Sequence, residues 1–333
     1  MSNRAEFWHG RRVLVTGVSG FLGSWLARML LNAGAELTGY DVSTVGCLAA
    51  HGLEGEFTVI DGSVLDLEGV QKALKQCRVE VCIHLAGQSM IEGATANPLL
   101  AFEVNIRGTW NVLEACRRTD SIISVACASS NHTYGPQESS PFREEFPLNQ
   151  LDIYGASKAC ADILARSYAH EFDLPAVAVR NTNSYGGGDP HTSHLVTGSV
   201  LALLNDERPI IRSDGSPIKA YLHAEDTMAA YMLLAEHAGR EEVKGRAFNV
   251  APDEPISVHD LVKTIIRVSG KEHLQPVVQG TDLSQKDFFE HLSNEKIKRV
   301  LGWEPQFGLE EGLQKTFAWY EKHGLGWIDQ VHV

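Results

Sequence analysis

A short apolar run, Arg12–Thr16, ends in the turn Gly17-Val18-Ser19-Gly20-Phe21-Leu22-Gly23, and a helical pattern, Phe21–Ala33, opens inside that turn and stops at Gly34. The same unit then recurs. Glu36–Asp41, Phe57–Asp61, Val81–Leu85, Ile122–Ala128 and Ala176–Arg180 read as strands, and Leu67–Cys77, Pro98–Arg118 and Tyr154–Phe172 read as helices between them. Strand–helix alternation of this kind predicts a parallel, doubly wound α/β sheet with helices on both faces.

After Arg180 the pattern breaks up. Gly186-Gly187-Gly188-Asp189-Pro190 is a loop, and His194–Asn205, Ala224–His237, Val258–Ser269 and Gly308–Lys322 read as helices. Pro209–Arg212, Lys219–His223 and Arg246–Val250 read as short strands. The expected organisation is a dinucleotide-binding Rossmann domain over residues 1–180, with sheet elements returning at about 216–250. A smaller α/β substrate lobe over residues 181–333 interleaves with it.

Composition narrows the partners. A net charge of −13 over 333 residues argues against nucleic acid, because nothing here would release phosphate counterions as a basic groove does. No apolar run approaches the roughly 20 residues that span a membrane, and the polar N-terminus carries no signal-peptide core. The six scattered cysteines form no metal-type pair and suit a reducing compartment, so a cytoplasmic location and no metal are expected.

The glycines of Gly17-x-x-Gly20-x-x-Gly23 follow a strand and open a helix, the context in which such a turn can hold a dinucleotide. Gly17 permits the tight turn, Gly20 lets the backbone approach a pyrophosphate at the helix N-terminus, and Gly23 allows close helix–strand packing. A purely structural glycine turn has the same letters, and Asp41 favours the functional reading. It closes the second strand 18 residues beyond Gly23, where a carboxylate accepts from a ribose 2′-hydroxyl and repels a 2′-phosphate. No arginine follows it, so NAD is favoured over NADP. The cofactor set comprises Gly17, Ser19, Gly20, Phe21, Leu22, Gly23, Asp41, Asp61, Leu85, Ala86, Gly87, Asn105, Tyr154 and Lys158. Asp61 would meet the adenine amino group, and Leu85-Ala86-Gly87 would floor the nicotinamide ribose.

Tyr154 and Lys158 lie four apart, so both project from one helix face. A phenol near pKa 10 is a poor base at neutral pH, and a neighbouring ammonium plus a nicotinamide cation would lower it. Ser130, at the end of the fifth strand, is placed to bond a substrate oxygen beside Tyr154. A Tyr–Lys pair is commonly a solvated face and Ser-Ser-Asn commonly a turn. Their order behind a dinucleotide turn points instead to hydride transfer with a tyrosine acid/base.

With these motifs, His84-Leu85-Ala86-Gly87, Asn105-x-x-Gly108-Thr109, Arg180-Asn181-Thr182-Asn183-Ser184-Tyr185-Gly186 and Leu301-Gly302-Trp303-x-Pro305, nearly the whole chain resembles an extended short-chain dehydrogenase/reductase of the nucleotide-sugar epimerase/dehydratase kind. Phe21–Leu26, Gly186–Asp189 and Ile211–Gly215 look most like its CDP-glucose 4,6-dehydratase branch. The resemblance implies a nucleotide-diphosphate sugar substrate and a tightly held, recycled NAD. Tyr154 would take the 4-hydroxyl proton while hydride leaves C4, Ser130 would orient that oxygen, and Lys158 would tune the tyrosine and hold the cofactor. Asn105 would brace the active-site helix. Gln88, Ser130, Asn131, His132, Asn183, His194, Arg212 and Lys219 would meet the substrate, Asn183 at its diphosphate. Two long helices, Pro98–Arg118 and Tyr154–Phe172, would pair two subunits through a four-helix bundle.

The chain departs from the family pattern after Ser130. Dehydratases of this family usually place an aspartate and then a glutamate or lysine there, as acid for the departing 6-hydroxyl and base for the C5 proton. Here those places hold Asn131, which cannot deliver a proton, and His132, a credible base and later acid. Epimerisation at C4 needs neither. The resemblance therefore implies first a CDP-glucose-type 4,6-dehydratase, with a 4-epimerase as alternative. A keto-sugar reductase or a catalytically silent NAD-binding module are further ones. At the nucleotide end an arginine is usual near His194, and an arginine–aspartate pair where Lys219-Ala220 stands. Lys219 keeps the charge without the bidentate fork, and Arg212 is placed to compensate. The loops Gln88–Ala94, His191–Val196 and Gln285–His291 would set sugar specificity.

Overall fold

The computed structural model describes residues 6–280, 289–324 and 326–328. Seven strands form one sheet: β1 (Arg12–Thr16), β2 (Glu36–Asp41), β3 (Thr58–Asp61), β4 (Val81–His84), β5 (Ser124–Ala128), β6 (Ala176–Asn181) and β7 (Ala247–Val250). Their order is β7-β6-β5-β4-β1-β2-β3, and every pairing is parallel. The order reverses between β1 and β4, so a crevice opens beyond their carboxyl ends, where doubly wound sheets bind ligands. The strands are buried on both faces and read as near-continuous apolar runs, such as Val81–His84, because helices cover both sides.

One face packs under Phe21–Asn32 and Ala224–Glu236, with Val15, Leu26, Leu30, Met228 and Phe248 at the centre. The other packs under Leu67–Gln76, Gly108–Arg117 and Ile153–Phe172 around Leu14, Val112 and Val125. A separate apolar cluster, including Val200, Leu261, Ile265 and Leu313, joins Leu195–Leu204, Val258–Ser269 and Leu309–His323. The α/β, parallel-sheet expectation holds.

Of the segment expected to return to the sheet at about 216–250, Ala247–Val250 does so beside β6. The single strand read over Lys219–His223 is instead two. Ile218–Lys219 pairs antiparallel with Ile256–Ser257, and Tyr221–His223 pairs parallel with Asn183–Tyr185. The break falls at Ala220, whose carbonyl accepts from the Thr182 hydroxyl and the Asn183 side-chain amide. Short helices at Ile91–Ala96 and Glu295–Leu301 lie where sequence periodicity gives no sign of them. The expected Pro98–Arg118 helix is interrupted by a π turn, Glu103–Arg107, which carries the buried Asn105.

A buried network ties the sheet to the helix Ile153–Phe172. Arg180 on β6 grips Asp162 on that helix through Nε (2.8 Å) and Nη2 (3.0 Å). Its Nη1 donates to the Tyr134 hydroxyl at 2.8 Å, which in turn donates to Asn249 on β7 at 2.7 Å. Burial alone would raise the Asp162 carboxyl, but Arg180 and Arg166 hold it below the ordinary range. The network fixes the segment after Ser130 against the helix that carries Tyr154 and Lys158.

Candidate active site

A cavity of about 1180 Å³ opens at the carboxyl ends of the strands. It exceeds the roughly 300–1,000 Å³ of a single small-molecule pocket, which leaves room for two ligands end to end. At its sheet end Gly17 has φ +71, and a Cβ there would lie 2.6 Å from the Ala86 nitrogen. A Cβ on Gly23 would lie 2.1 Å from the Gly17 carbonyl. The helix Phe21–Asn32 has no side-chain cap and no acidic residue in its first turn, so its N–H groups and positive dipole end stay available to an anion. The buried Ser129 hydroxyl, also on the wall, has no hydrogen-bond partner among the described residues.

Asp41 accepts from the Ser19 and Ser43 N–H groups, at 2.9 and 3.3 Å. Burial pushes its carboxyl up, and those donors pull it back. Val42, Ser43, Gly46 and Cys47 line the cavity beside it with no cation among them. Ser19, Gly20, Phe21, Leu22, Leu85, Ala86 and Gly87 also line it.

Two residues of the expected cofactor set do not. Asp61 is exposed at the end of β3, because the chain turns at Gly62 and it is Gly62, Ser63 and Val64 that reach the wall. Asn105 is buried behind the wall. Its Oδ1 accepts from the Gln88 N–H at 2.7 Å, and its Nδ2 donates to the Gln88 carbonyl (3.1 Å) and the Ser157 hydroxyl (2.8 Å). It clamps the loop after β4 to the helix of Tyr154, a brace rather than a ligand contact.

Ser130, Asn131, His132, Tyr154 and Lys158 meet where the cavity passes the end of β5. Asp152 caps the helix by accepting from the Gly155 N–H at 2.9 Å, which sets the direction of Tyr154. Lys158 is 6% exposed and donates to the Ala128 carbonyl at 3.3 Å. Burial lowers its ammonium to about 8, against an opposing effect of Cys127. Burial also raises the Tyr154 phenol, with a hydrogen bond from Ser130 pulling down and Asp152 pushing up. In the free protein the phenol therefore stands above its ordinary value, not below it as expected beside an ammonium and a nicotinamide cation, because desolvation dominates.

The Ser130 hydroxyl donates to Asn131 Oδ1 at 3.1 Å and accepts from the His132 N–H at 3.2 Å. The His132 ring stands edge-on to Tyr154, with centroids 5.6 Å apart. Burial lowers its imidazole, Glu290 and Asp152 raise it, and Lys219 lowers it.

At the lobe end the lining includes Gln88, Asn183, His194, Arg212 and Lys219. His194 Nδ1 meets Asp189 Oδ2 at 2.7 Å, and Thr197 donates to the same oxygen at 2.9 Å. Burial alone would lower His194, but Asp189 raises it above its ordinary value. Arg212 is exposed at the rim and donates to the Ser193 carbonyl at 3.2 Å. The Asn183 amide donates to the Ala220 carbonyl and to Glu290. Sequence reasoning gave no site role to two buried carboxylates here: Glu290 meets Thr182 and Asn183 across more than a hundred residues, and Asp189 meets His191, His194 and Thr197 in a loop and helix start whose course no repeat fixes. The loop expectation over Gln285–His291 lies mostly outside the described residues.

A parallel switch-point sheet, a glycine turn under an uncapped helix, and Ser130, Tyr154 and Lys158 in one cavity define an extended short-chain dehydrogenase/reductase of the nucleotide-sugar dehydratase/epimerase kind. The chain belongs to the family described as GDP-mannose 4,6 dehydratase, whose model matches residues 14–316. It is 28% identical to a CDP-glucose 4,6-dehydratase of Salmonella typhimurium over 95% of this chain and 92% of that protein. It is 30% identical to a UDP-glucose 4-epimerase of Mycolicibacterium smegmatis over 93% and 98%. A dTDP-glucose 4,6-dehydratase structure from Streptomyces venezuelae, with NAD and TYD bound, superposes with a TM-score of 0.83 at 26% identity, covering 95% of this chain and 98% of that one.

Proposed function

We propose that the protein is an NAD-dependent nucleotide-sugar 4,6-dehydratase of the CDP-glucose type, working through a 4-keto intermediate. The observation that carries this is the meeting of Ser130, Tyr154, Lys158 and His132 at the junction of a dinucleotide-shaped groove and a second pocket. The Gly17–Gly23 turn, the uncapped helix and Asp41 fit NAD, and the absence of a lining cation beside Asp41 fits an unphosphorylated ribose. Bound NAD would supply the hydride acceptor and donor for that chemistry.

Tyr154 takes the 4-hydroxyl proton, Ser130 fixes that oxygen, and Lys158 supports the phenolate from the same helix face. Asn131 holds the Ser130 hydroxyl rather than passing a proton. His132 is then the proton carrier for loss of the 6-hydroxyl. Lys219, Arg212, His194 and Asn183 are assigned to the nucleotide diphosphate, and Gln88 to the sugar. The sheet through residue 180, with Ala247–Val250, forms the cofactor domain, and residues from 181 the substrate lobe.

A second reading, 4-epimerase, is favoured by one observation: Asn131 stands where an acid is usual, and epimerisation requires none. Incubation of the purified protein, without added cofactor, with CDP-, UDP-, GDP- and dTDP-glucose in deuterated water separates the two. Loss of water with deuterium retained in the product supports dehydration, whereas an isomer of unchanged mass replaces it with epimerisation.

We further propose a homodimer through a four-helix bundle, supported by exposed Leu99, Trp110, Ile163 and Phe172 on the two long helices. A cytoplasmic location is supported by six free cysteines, five of them wholly or partly buried. Among the described residues no helix is long and apolar enough to cross a membrane. Recovery of the native protein in an exported fraction would refute that location.

A further inference from the structure

His84, the last residue of β4, opens the run His84-Leu85-Ala86-Gly87 and is buried beneath the cavity wall. Its Nδ1 lies 2.7 Å from the Thr16 hydroxyl at the end of β1, and its Nε2 lies 3.1 Å from the Thr109 hydroxyl on the helix Gly108–Arg117. Beyond Thr16, the Ala86 N–H donates to the same hydroxyl oxygen at 3.3 Å. Beyond Thr109, that hydroxyl donates to the Asn105 carbonyl at 2.6 Å. Thr16, His84, Asn105 and Thr109 are each at most 2% exposed, so each polar atom depends on its partner in the run.

The two ends fix every proton between them. A backbone carbonyl only accepts and a backbone N–H only donates. The Thr109 hydroxyl spends its proton on the Asn105 carbonyl, so it accepts from His84 Nε2–H. Nδ1 is then bare and accepts the Thr16 proton, which leaves the Thr16 oxygen to accept from the Ala86 N–H. The other tautomer would set a bare Nε2 against the lone pairs of Thr109. An imidazolium would donate from both nitrogens and turn the Thr16 proton away from its acceptor. Burial, together with the Lys158 ammonium, accordingly lowers the imidazole to about 3.

This run joins the two halves of the site. At one end the Thr16 carbonyl also accepts from the Leu85 N–H at 3.1 Å, so the loop after β4 is tied to β1 where the Gly17 turn begins. Leu85, Ala86 and Gly87 of that loop line the groove that fits NAD. At the other end the Asn105 side chain bonds Gln88 and Ser157, and the Ser157 hydroxyl donates to the Tyr154 carbonyl at 2.7 Å. A Cβ on Gly87 would lie 2.8 Å from Asn105 Oδ1 and 3.2 Å from Lys158 Nζ, so loop, amide and ammonium sit without slack. We infer that His84 is a positioning residue: as a neutral Nε2–H imidazole it carries one directed run of hydrogen bonds from the cofactor loop to the helix of Tyr154 and Lys158, and so sets the distance between hydride acceptor and base. This rests on hydride transfer beside Tyr154, which dehydration and epimerisation share.

Nitrogen NMR of the NAD-retaining protein with isotopically labelled histidines tests the tautomer, and His84→Gln identifies the signal among the 14 histidines. His84 should keep a protonated Nε2 and a bare Nδ1 from about pH 5 to 8, where an ordinary imidazole titrates. A protonated Nδ1, or a titration in that window, overturns the inference. Thr109→Val keeps the shape, removes the hydroxyl and tests the positioning. With CDP-, UDP-, GDP- and dTDP-glucose as probes, single-turnover reduction of the bound nicotinamide should slow roughly tenfold, the worth of about one buried hydrogen bond. The sugar concentration giving half the maximal rate should stay within about twofold. Thr109→Ser, which keeps the hydroxyl, should restore the rate. If Thr109→Val does not fold, Thr16→Val breaks the same run at its other end and should slow the step alike. A folded valine variant of full rate, a loss confined to half-saturation, or a serine variant as slow as the valine one overturns the inference. If the unmutated protein reduces no nicotinamide with any of the four sugars, it is the nucleotide-sugar reading that has failed, and the NMR spectrum alone judges His84.

Discussion

Lys158 is held in the folded chain at a cost that can be measured. The residue is 6% exposed, and burial lowers its ammonium from the ordinary 10.5 to about 8. At about 1.4 kcal/mol per tenfold in proton affinity, that difference is roughly 3 kcal/mol of disfavoured charge. Below about pH 8 both folded and unfolded chains hold the proton, so the folded state carries the full penalty. Between about 8 and 10.5 the unfolded chain holds the proton and the folded chain has lost it, so stability rises with pH. Above 10.5 neither is charged and the penalty has gone. Lys158→Met keeps the stem length and removes the charge. Losing the bond to the Ala128 carbonyl costs about 1 kcal/mol, which leaves the variant roughly 2 kcal/mol more stable at neutral pH. Urea titrations of both proteins, stripped of nucleotide, across this pH window test the argument. The gap should close as pH rises and reverse by about 1 kcal/mol above 10.5, where only the lost hydrogen bond remains. A variant less stable at neutral pH, or a gap that does not change with pH, refutes it.

Three further outcomes follow from the packing. Gly17→Ala places a side chain in a left-handed position, at about 1–2 kcal/mol, and 2.6 Å from the Ala86 nitrogen. The purified protein should lose its retained NAD and melt earlier, as nucleotide release on denaturation and a thermal melt would show. Asp162→Ala leaves the 2%-exposed Arg180 without its counter-ion, which should cost about 3–5 kcal/mol by urea midpoint; a loss under 1 kcal/mol would contradict the network's role. Leu99→Glu combined with Ile163→Glu, at positions 76% and 48% exposed, should give a monomer by sedimentation, and an unchanged dimer would place the interface elsewhere.

The features legible in the sequence were those whose parts are close along the chain. Gly17, Gly20 and Gly23 share one turn, Tyr154 and Lys158 share one helix face, and Asp41 ends the strand that pairs with β1. Such spacings are converted to geometry by the helix and strand repeats alone. Asp61 and Asn105 show where that conversion stops. Each was placed by element, but whether a strand-end carboxylate faces a groove, or an amide lines it, depends on where the next turn falls. The π turn at Glu103–Arg107 sends Asn105 behind the wall. Lys219–His223 reads as one strand because nothing in five letters reveals that Thr182 and Asn183 will take the Ala220 carbonyl.

Glu290 was illegible for a stronger reason: its partners Thr182 and Asn183 lie 108 and 107 positions away, and no periodicity connects them. The link between Arg180 and Asp162 likewise depends on packing, of β6 against the helix Ile153–Phe172 that leads into it. What the fold adds to the motifs is therefore chiefly electrostatic. It buries an ammonium, a phenol and an imidazole within one cavity, and each loses proton affinity or gains it against its ordinary tendency to ionise. At neutral pH the buried ammonium of Lys158 costs stability in the free protein, a cost that a ligand binding only the folded state offsets. That is why the residue whose removal should stabilise the chain, Lys158, is also one that the chemistry cannot spare.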